Sequence, residues 1–147
     1  MIRKANKFDI PQIFDMLRHY RDAGNIESVS NITNEETPTM IMTYILAGAG
    51  IALVSDNEGT LDGMLLAVKT PQLWDNSNYI MNEICYWVEP EHRGSTTGYR
   101  LLKSYVELCD DLKDDGHITN YTISQMNGNT LKYDRFGFKR IEEVWSQ

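Results

Sequence analysis

The residues with the clearest capacity for chemistry lie between Glu83 and Leu102, where an aromatic and β-branched strand leads through a glycine-containing loop into a helix. A strand that stops where a helix begins leaves unpaired main-chain N–H groups at the positive end of the helix dipole, and such groups bind phosphate. Arg93 adds a full positive charge, and Gly94 and Gly98 let the backbone approach a ligand without a Cβ in the way. The pattern predicts a phosphate-binding loop.

Two common phosphate-binding loops do not fit this segment. It lacks the Lys-Ser/Thr pair of a Walker loop, and its glycine spacing differs from that of a dinucleotide fingerprint. It instead resembles the cofactor motif of the GNAT superfamily, the acetyl-CoA-dependent N-acetyltransferases, in which a strand ending in Val-x-Pro precedes Arg/Gln-x-x-Gly-x-Gly/Ala. Val88-Glu89-Pro90 matches the strand end, Arg93 the first position and Gly98 the last. Thr96 stands where the family usually has its first glycine, and the resulting variant Arg-Gly-Ser-x-x-Gly is similar to the loop of phage-encoded members.

A second signature of the same family lies near the end of the chain. The family's last helix and turn typically read Tyr-x-x-x-Gly-Phe, which is similar to Tyr133-Asp134-Arg135-Phe136-Gly137-Phe138, and its Asn-rich entry is similar to Asn127-Gly128-Asn129. The two motifs stand in the family's order, so the resemblance covers nearly the whole chain. It implies one acetyltransferase domain over residues 1–147, with acetyl-CoA as co-substrate and no metal.

The resemblance implies how the co-substrate is held. Main-chain N–H groups of the loop would bind the pyrophosphate. The backbone of the preceding strand would pair with the pantetheine arm as if the arm were another strand, which requires the sheet to splay beside this edge. The implied cofactor-binding residues are Tyr86, Trp87, Val88, Arg93, Gly94, Ser95, Thr96, Thr97, Gly98, Tyr99 and Asn129.

The resemblance also implies which groups move protons. Acetyl transfer to an amine needs a base for the amine proton and an acid for the leaving thiolate. Tyr133 resembles the family's general acid, although a lone tyrosine on an amphipathic helix more often serves packing. Glu83 lies near where many relatives place a catalytic carboxylate, and a glutamate within an apolar strand is costly unless it is paired. An outward-facing Glu83, Asn82 brought into the cleft by a strand bulge, and water are the alternatives.

The amine substrate is the part on which the sequence says least. In the family the amine enters beside the first two helices and the loop before the central strand, which here are residues 24–34 and 71–78. The second of these contains Trp74 and Asp75, an aromatic face next to a carboxylate, which suits a cation. Trp74 can equally serve as an anchor for the loop. We expect Trp74 and Asp75 to bind the amine, whose identity stays open.

These groups need a scaffold of alternating strands and helices. Apolar periodicity and turn residues predict strands at 2–5, 50–54, 61–69, 79–88, 117–124 and 138–145. They also predict helices ending near 24, 48 and 116 and a short helix at 127–136. The order β-α-α-β-β-β-α-β-α-β predicts a GNAT-like α/β fold. A mixed central sheet carries helices on both faces, with an antiparallel meander over 50–88 and a parallel pair around 80–124.

Composition excludes several other classes of protein. The 147 residues, 41% hydrophobic and 24% charged, suit one globular domain. A net charge of −7 argues against non-specific nucleic-acid binding and accords with a cationic substrate, or it simply keeps the protein soluble. No apolar run approaches the ~18 residues of a membrane span. Cys85 and Cys109 lack metal-ligand spacing and favour a cytoplasmic setting.

Three functions remain compatible with the sequence. The leading one is direct transfer of an acetyl group from acetyl-CoA to a primary amine on a small molecule or a protein. The second is a non-catalytic acyl-CoA-binding or regulatory module, and the third is a structural or interaction protein that keeps only the scaffold. Retention of Tyr133 and Arg93 favours catalysis, whereas Thr96 in the loop favours a reduced role. Expected partners are the amine and a second copy of the chain, with neither nucleic acid nor membrane.

Overall fold

A computed structural model describes residues 1–24, 34–125 and 132–145 of the chain. Its strands are β1 Ile2–Lys4, β2 Gly50–Asn57, β3 Thr60–Pro71, β4 Tyr79–Val88 and β5 Asn120–Thr122. Its α-helices are α1 Ile10–Ala23, α2 Glu36–Tyr44 and α3 Thr97–Asp114. Short 3₁₀ turns lie at Lys7–Asp9, Pro90–His92 and Tyr133–Phe136, and a π-helical turn at Ile45–Ala49 extends α2.

The five strands form one sheet in the order β1-β2-β3-β4-β5. The first four strands pair antiparallel, and β4 pairs parallel with β5 through the helical crossover of α3. The predicted mixed α/β sheet, with its antiparallel meander and one parallel pair, is therefore confirmed.

Helices cover both faces of the sheet, and each face has its own apolar core. On one face Ile13 and Met16 of α1 and Met42 of α2 pack against buried residues of β2, β3 and β4. On the other face Leu101 and Tyr105 of α3, both fully buried, lead a second cluster. Two buried faces explain why β2 is apolar throughout residues 51–54 and β3 throughout residues 64–67, because neither face of these central stretches meets water.

The start of α3 lies unusually close to the sheet, and Gly63 of β3 makes this approach feasible. A Cβ placed on Gly63 would lie 3.0 Å from Leu101 Cδ1 and 3.2 Å from Thr97 Cγ2. A side chain at this position would therefore push the first turn of α3 away from the sheet. Gly63 consequently helps to set the position of the loop at 93–98 that precedes α3.

A β-bulge interrupts the pairing of β3 with β4. Leu66 lies opposite Cys85, but the next residue, Ala67, lies opposite Glu83, so Ile84 has no partner on β3. The side-chain alternation of β4 shifts at this point, since the extra residue turns the strand by one position. Cys85 therefore packs in the core under α1, whereas Glu83 shares the face of Ala67 under α3.

The last two predicted elements differ from the structure. The predicted strand at 138–145 is wrong, because these residues have no ladder partner within the described parts of the chain. The predicted helix at 127–136 is reduced, over its described part, to the 3₁₀ turn Tyr133–Phe136, and the predicted strand at 117–124 is reduced to β5. Residues 127–129, including the predicted cofactor contact Asn129, lie outside the described residues.

Candidate active site

β4 continues beyond the point where its pairing with β5 ends. Their last pair is Asn82 with Thr122, whereas β4 continues for six more residues to Val88. Along that stretch no strand among the described residues pairs with the β5-facing edge of β4. The β5-facing edge of β4 over residues 83–88 is therefore open within the described part of the chain, as strand-like binding of an extended ligand requires. We call this open edge the cleft.

Asn82 holds the closed end of this cleft. Its Nδ2 donates to Thr70 Oγ1 on β3 at 2.7 Å, and its Oδ1 accepts from Thr122 Oγ1 on β5 at 3.0 Å. Both ends of the amide are used in joining three neighbouring strands. The bulge therefore does not bring Asn82 into the cleft in place of Glu83.

Glu83 lies at the point of divergence and is nearly buried, with 7% of its surface exposed. Its Oε2 accepts a 2.8 Å hydrogen bond from the main-chain N–H of Ser124, just beyond the end of β5. Burial raises the pKa of Glu83 from its usual value of 4.5 to about 7, and the bond from Ser124 opposes that rise. Glu83 is therefore a carboxyl group that exchanges its proton near neutral pH.

Tyr133 also hydrogen bonds to Ser124, on the side opposite Glu83. Its hydroxyl donates to the main-chain oxygen of Ser124 at 3.2 Å, and its ring contacts Phe138 with a centroid separation of 6.2 Å. Gly137, at φ 85°, closes the short turn that carries Tyr133. The structure thus brings the predicted base and the predicted acid together, through Ser124, which no sequence signal identified.

Two further tyrosines come near this pair. Tyr20 of α1 lies edge-on to Trp87 at 6.0 Å between ring centroids, and Tyr86 lies on β4 itself. Burial raises the pKa of both hydroxyls, and the nearby charge of Glu83 adds to the rise. Both phenols therefore stay protonated at neutral pH. No motif in the sequence singled out Tyr20.

Tyr86 also ties the cleft to the start of α3. Its hydroxyl donates to the main-chain oxygen of Gly98 at 2.5 Å. Because the carbonyl of Gly98 belongs to the first turn of α3, this bond fixes the loop relative to β4. The predicted strand contact and the predicted loop are thereby held as one unit.

The loop before α3 has a defined backbone. Gly94 adopts φ 84°, a conformation that a residue with a side chain rarely takes. Ser95 Oγ donates to the main-chain oxygen of His92 at 2.6 Å and accepts from the N–H of Thr97 at 3.3 Å. The serine therefore supports the turn from inside, and Thr96, the residue before the helix, makes no side-chain cap.

Several main-chain N–H groups of this loop are available to a ligand. The N–H of Arg93 is used by the main-chain oxygen of Pro90 at 3.3 Å. First-turn N–H groups of a helix have no intrahelical acceptor. Within residues 1–24, 34–125 and 132–145, no acceptor is found for the N–H groups of Gly94, Ser95, Thr96, Gly98 and Tyr99.

Arg93 points its guanidinium at the end of β4. Its Nε donates to the main-chain oxygen of Val88 at 2.9 Å, and its Cζ lies 4.4 Å from the ring centroid of Trp87. This stacking holds a positive charge beside the strand end rather than on the helix axis. Trp87 is buried, so its role in the structure is to support Arg93 and Tyr20.

Comparison with known proteins shows where this arrangement occurs elsewhere. No family model and no curated protein matches the chain. Among solved structures, a predicted acetyltransferase from Clostridium acetobutylicum with acetyl-CoA has a TM-score of 0.78 at 16% identity, covering 100% of this chain and 94% of that one. Glucosamine-6-phosphate N-acetyltransferase from Arabidopsis thaliana has a TM-score of 0.68 at 16% identity, with coverages of 100% and 96%. A transcriptional regulator from Bacillus halodurans has a TM-score of 0.68 at 21% identity, covering 100% of this chain and 97% of that one.

The chain has the GNAT acetyltransferase fold. At identities this low the likeness shows the fold alone. The similarity to phage-encoded members stays a sequence-based expectation.

Trp74 and Asp75 lie elsewhere in this GNAT fold. They belong to the loop before β4, at the end of the sheet where β4 and β5 are still paired. Asp75 accepts from the N–H and hydroxyl of Ser77 and from Asn78, so its carboxylate closes its own turn, and these bonds lower its pKa. Trp74 is 90% exposed. The structure does not bring either residue to Glu83, and we leave both out of the candidate site.

The described residues also bear on what a metal site and a membrane-spanning helix require. In the described part of the chain no three His, Cys, Asp or Glu side chains are grouped to hold a metal ion. Among the described helices none is long and apolar enough to cross a membrane.

Proposed function

We propose that this protein is an acetyl-CoA-dependent N-acetyltransferase that moves the acetyl group directly to a primary amine. The observation that carries the proposal is the meeting of Glu83 and Tyr133 at Ser124, where β4 and β5 diverge. A base and an acid at one point of an open cleft, beside a loop with free N–H groups, suit acyl transfer.

The chain offers two surfaces to acetyl-CoA. The N–H groups of Gly94, Ser95, Thr96, Gly98 and Tyr99 would hold the pyrophosphate, with the charge of Arg93 nearby. The unpaired edge of β4 from Glu83 to Val88 would take the pantetheine arm. When bound there, acetyl-CoA supplies an activated thioester next to Glu83 and Tyr133.

Glu83 suits the role of base. A carboxyl group whose pKa is raised to about 7 is about half ionised at neutral pH, and it is a stronger base than an exposed glutamate. In the proposed reaction the amine nitrogen bonds to the thioester carbon, and its proton passes to Glu83 directly or through one water. The hydrogen bond from Ser124 holds the receiving carboxylate in place.

Tyr133 suits the role of acid. As the carbon–sulfur bond breaks, the sulfur takes the electron pair and accepts a proton from the Tyr133 hydroxyl, which solvent then restores. In the structure that hydroxyl donates to Ser124, so the proton must be turned toward the sulfur in the bound state. Catalytic hydrogen bonds often tighten only when the substrate is present.

The acceptor we propose is a cationic primary amine. Tyr133 brings an aromatic ring to a site whose carboxylate is Glu83, because both side chains hydrogen bond to Ser124. Aromatic faces beside a carboxylate attract an ammonium group before it is deprotonated. The chain's net charge of −7 acts in the same direction at long range.

A non-catalytic acyl-CoA-binding module is the second candidate. One observation favours it: the Tyr133 hydroxyl is already satisfied by Ser124, an arrangement that packing alone would also produce. The transcriptional regulator from Bacillus halodurans shows that this fold is not confined to proteins described as enzymes.

A thiol-release assay with acetyl-CoA over a panel of amines tests the proposal. We expect free CoA to form only when a suitable amine is present. A melting-temperature shift with CoA, measured in parallel, separates the two candidates. A shift without thiol release for any amine supports the binding module. If CoA gives no shift and no amine gives thiol release, both candidates are wrong.

A further inference from the structure

The chain from Phe138 to Trp145 carries large apolar side chains that the rest of the described structure does not cover. Ile141, Val144 and Trp145 are 78%, 89% and 88% exposed. Phe138 is the exception, because its ring packs edge-on against Tyr121 of β5 at 5.5 Å. The segment is therefore anchored at its start and presents three uncovered apolar residues beyond that point.

The charges of this segment are arranged symmetrically with opposite signs. Residues 139–143 read Lys-Arg-Ile-Glu-Glu, so two positive residues and two negative residues flank Ile141. In an antiparallel pair of two such segments centred on Ile141, Lys139 faces Glu143 of the other copy and Arg140 faces Glu142. Every charged residue then lies opposite a charge of the other sign.

Other registers of the same pairing lose this match. Centring the pair on Arg140 places that arginine opposite itself, and centring it on Glu142 does the same for that glutamate. Centring between residues keeps only one kind of opposite-charge pair and places the other charges opposite apolar residues. The charge pattern thus selects one register, which hydrophobic pairing alone would leave open.

We propose that a second copy of this chain pairs with residues 138–144 in this antiparallel register, about a two-fold axis at Ile141. The two copies of Ile141 meet at the axis, and Val144 lies opposite Phe138 of the partner. Trp145 then falls opposite Gly137, which has no side chain and has no other heavy atom within 4 Å of where a Cβ would lie. The indole ring therefore has space there. The pairing places each of the three exposed apolar residues opposite a residue of the partner copy.

The intrachain contacts that the dimer replaces are weak. Arg140 Nη1 lies 3.2 Å from Glu143 of the same chain, and their side chains are 79% and 57% exposed. An exposed pair of this kind contributes little to stability. Exchanging it for cross-strand pairs with the partner therefore meets little opposition.

Charge reversal in halves tests the proposal. The first variant carries Lys139→Glu with Arg140→Glu, the second Glu142→Lys with Glu143→Arg, and the third all four changes. We expect wild type to be dimeric by sedimentation velocity, and each half-reversed variant to raise the dimer dissociation constant by at least about tenfold. The fully reversed variant keeps the symmetric pattern and should return to dimer, as should an equimolar mixture of the two half-reversed variants.

Cysteine crosslinking tests the register. Ile141→Cys places a thiol opposite its own copy, with Cβ atoms about 4.5–5.5 Å apart, so oxidation should give a disulfide-linked dimer. Glu142→Cys is the matched control, because that residue faces Arg140 and not itself. Native Cys85 and Cys109 are 2% and 0% exposed and stay out of the reaction.

Several results would overturn the proposal. They are a monomeric wild type at concentrations well above those of the assay, a fully reversed variant as monomeric as its halves, and equal crosslinking at 141 and 142. Pairing of the segment with β5 of its own chain alone, or binding of a different protein there, would give the first of these. None of these substitutions touches the proposed catalytic residues, so acetyl transfer can fail or succeed independently.

Discussion

Glu83 and Tyr133 hydrogen bond to opposite sides of one residue, Ser124, the carboxylate to its N–H at 2.8 Å and the hydroxyl to its oxygen at 3.2 Å. A main-chain residue that holds both groups fixes their separation more rigidly than a side chain would. Any movement of Ser124 therefore shifts the proposed base and acid together.

Replacement of Glu83 by Gln should remove the base. Because the Gln side chain still accepts the Ser124 N–H, the fold keeps its bond while kcat falls by roughly 10²–10⁴-fold. In wild type the rate should rise with pH with a midpoint near 7, since the carboxyl group must be ionised to act. Glu83→Asp is the control that retains a carboxylate. A Gln variant with the wild-type pH profile would assign the base elsewhere.

The same substitution should change stability in a pH-dependent way. Folding raises the pKa of Glu83 from 4.5 to about 7. The stabilising contribution of the protonated carboxyl group to the free energy of unfolding is therefore fully present below pH 4.5 and is lost as pH rises through 7. The neutral Gln avoids the burial of a charge. At pH 8 it should therefore raise the free energy of unfolding by roughly 3 kcal/mol, and by much less at pH 5. Urea denaturation at both values measures this, and equal effects at both would contradict it.

Replacement of Tyr133 by Phe should slow the departure of the thiolate. We expect kcat to fall by roughly 10²–10⁴-fold with nearly unchanged affinity for CoA, because the ring still packs on Phe138. Tyr121→Phe is a suitable control, since it removes a hydroxyl that bonds to Asp110 on the exposed side of α3. Full activity of the Tyr133 variant would reduce this residue to packing.

Replacement of Gly98 by Glu should abolish CoA binding. The new carboxylate would stand at the first turn of α3, where it repels phosphate and obstructs the free N–H groups. The rise in melting temperature that CoA gives to wild type should disappear. Lys113→Glu, in the last turn of the same helix, is the control and should keep the shift. If both variants keep it, the phosphate lies elsewhere.

The sequence by itself determined the features that depend on local chemistry. The hairpin between β2 and β3 was predictable from the residues of its turn. Glu58 and Gly59 take φ of 52° and 92°, and the Asp56 side chain accepts a hydrogen bond from the Gly59 N–H. The helix after the loop at 93–98 was predictable from its apolar spacing. In both cases the residues that decide the structure are neighbours in the chain.

Only the tertiary structure decided how the site is assembled. Ser124 reaches Glu83 because β5 pairs in parallel with β4 across 41 residues of chain, and the bulge at Ile84 sets which face Glu83 occupies. The separation of Trp74 from Glu83 follows from sheet direction and not from composition, because the loop of Trp74 opens at the paired end of those strands. Residues 138–145 have a sequence typical of a strand but no ladder partner among the described residues. A strand forms only beside another strand, and the local sequence pattern does not determine whether one is there.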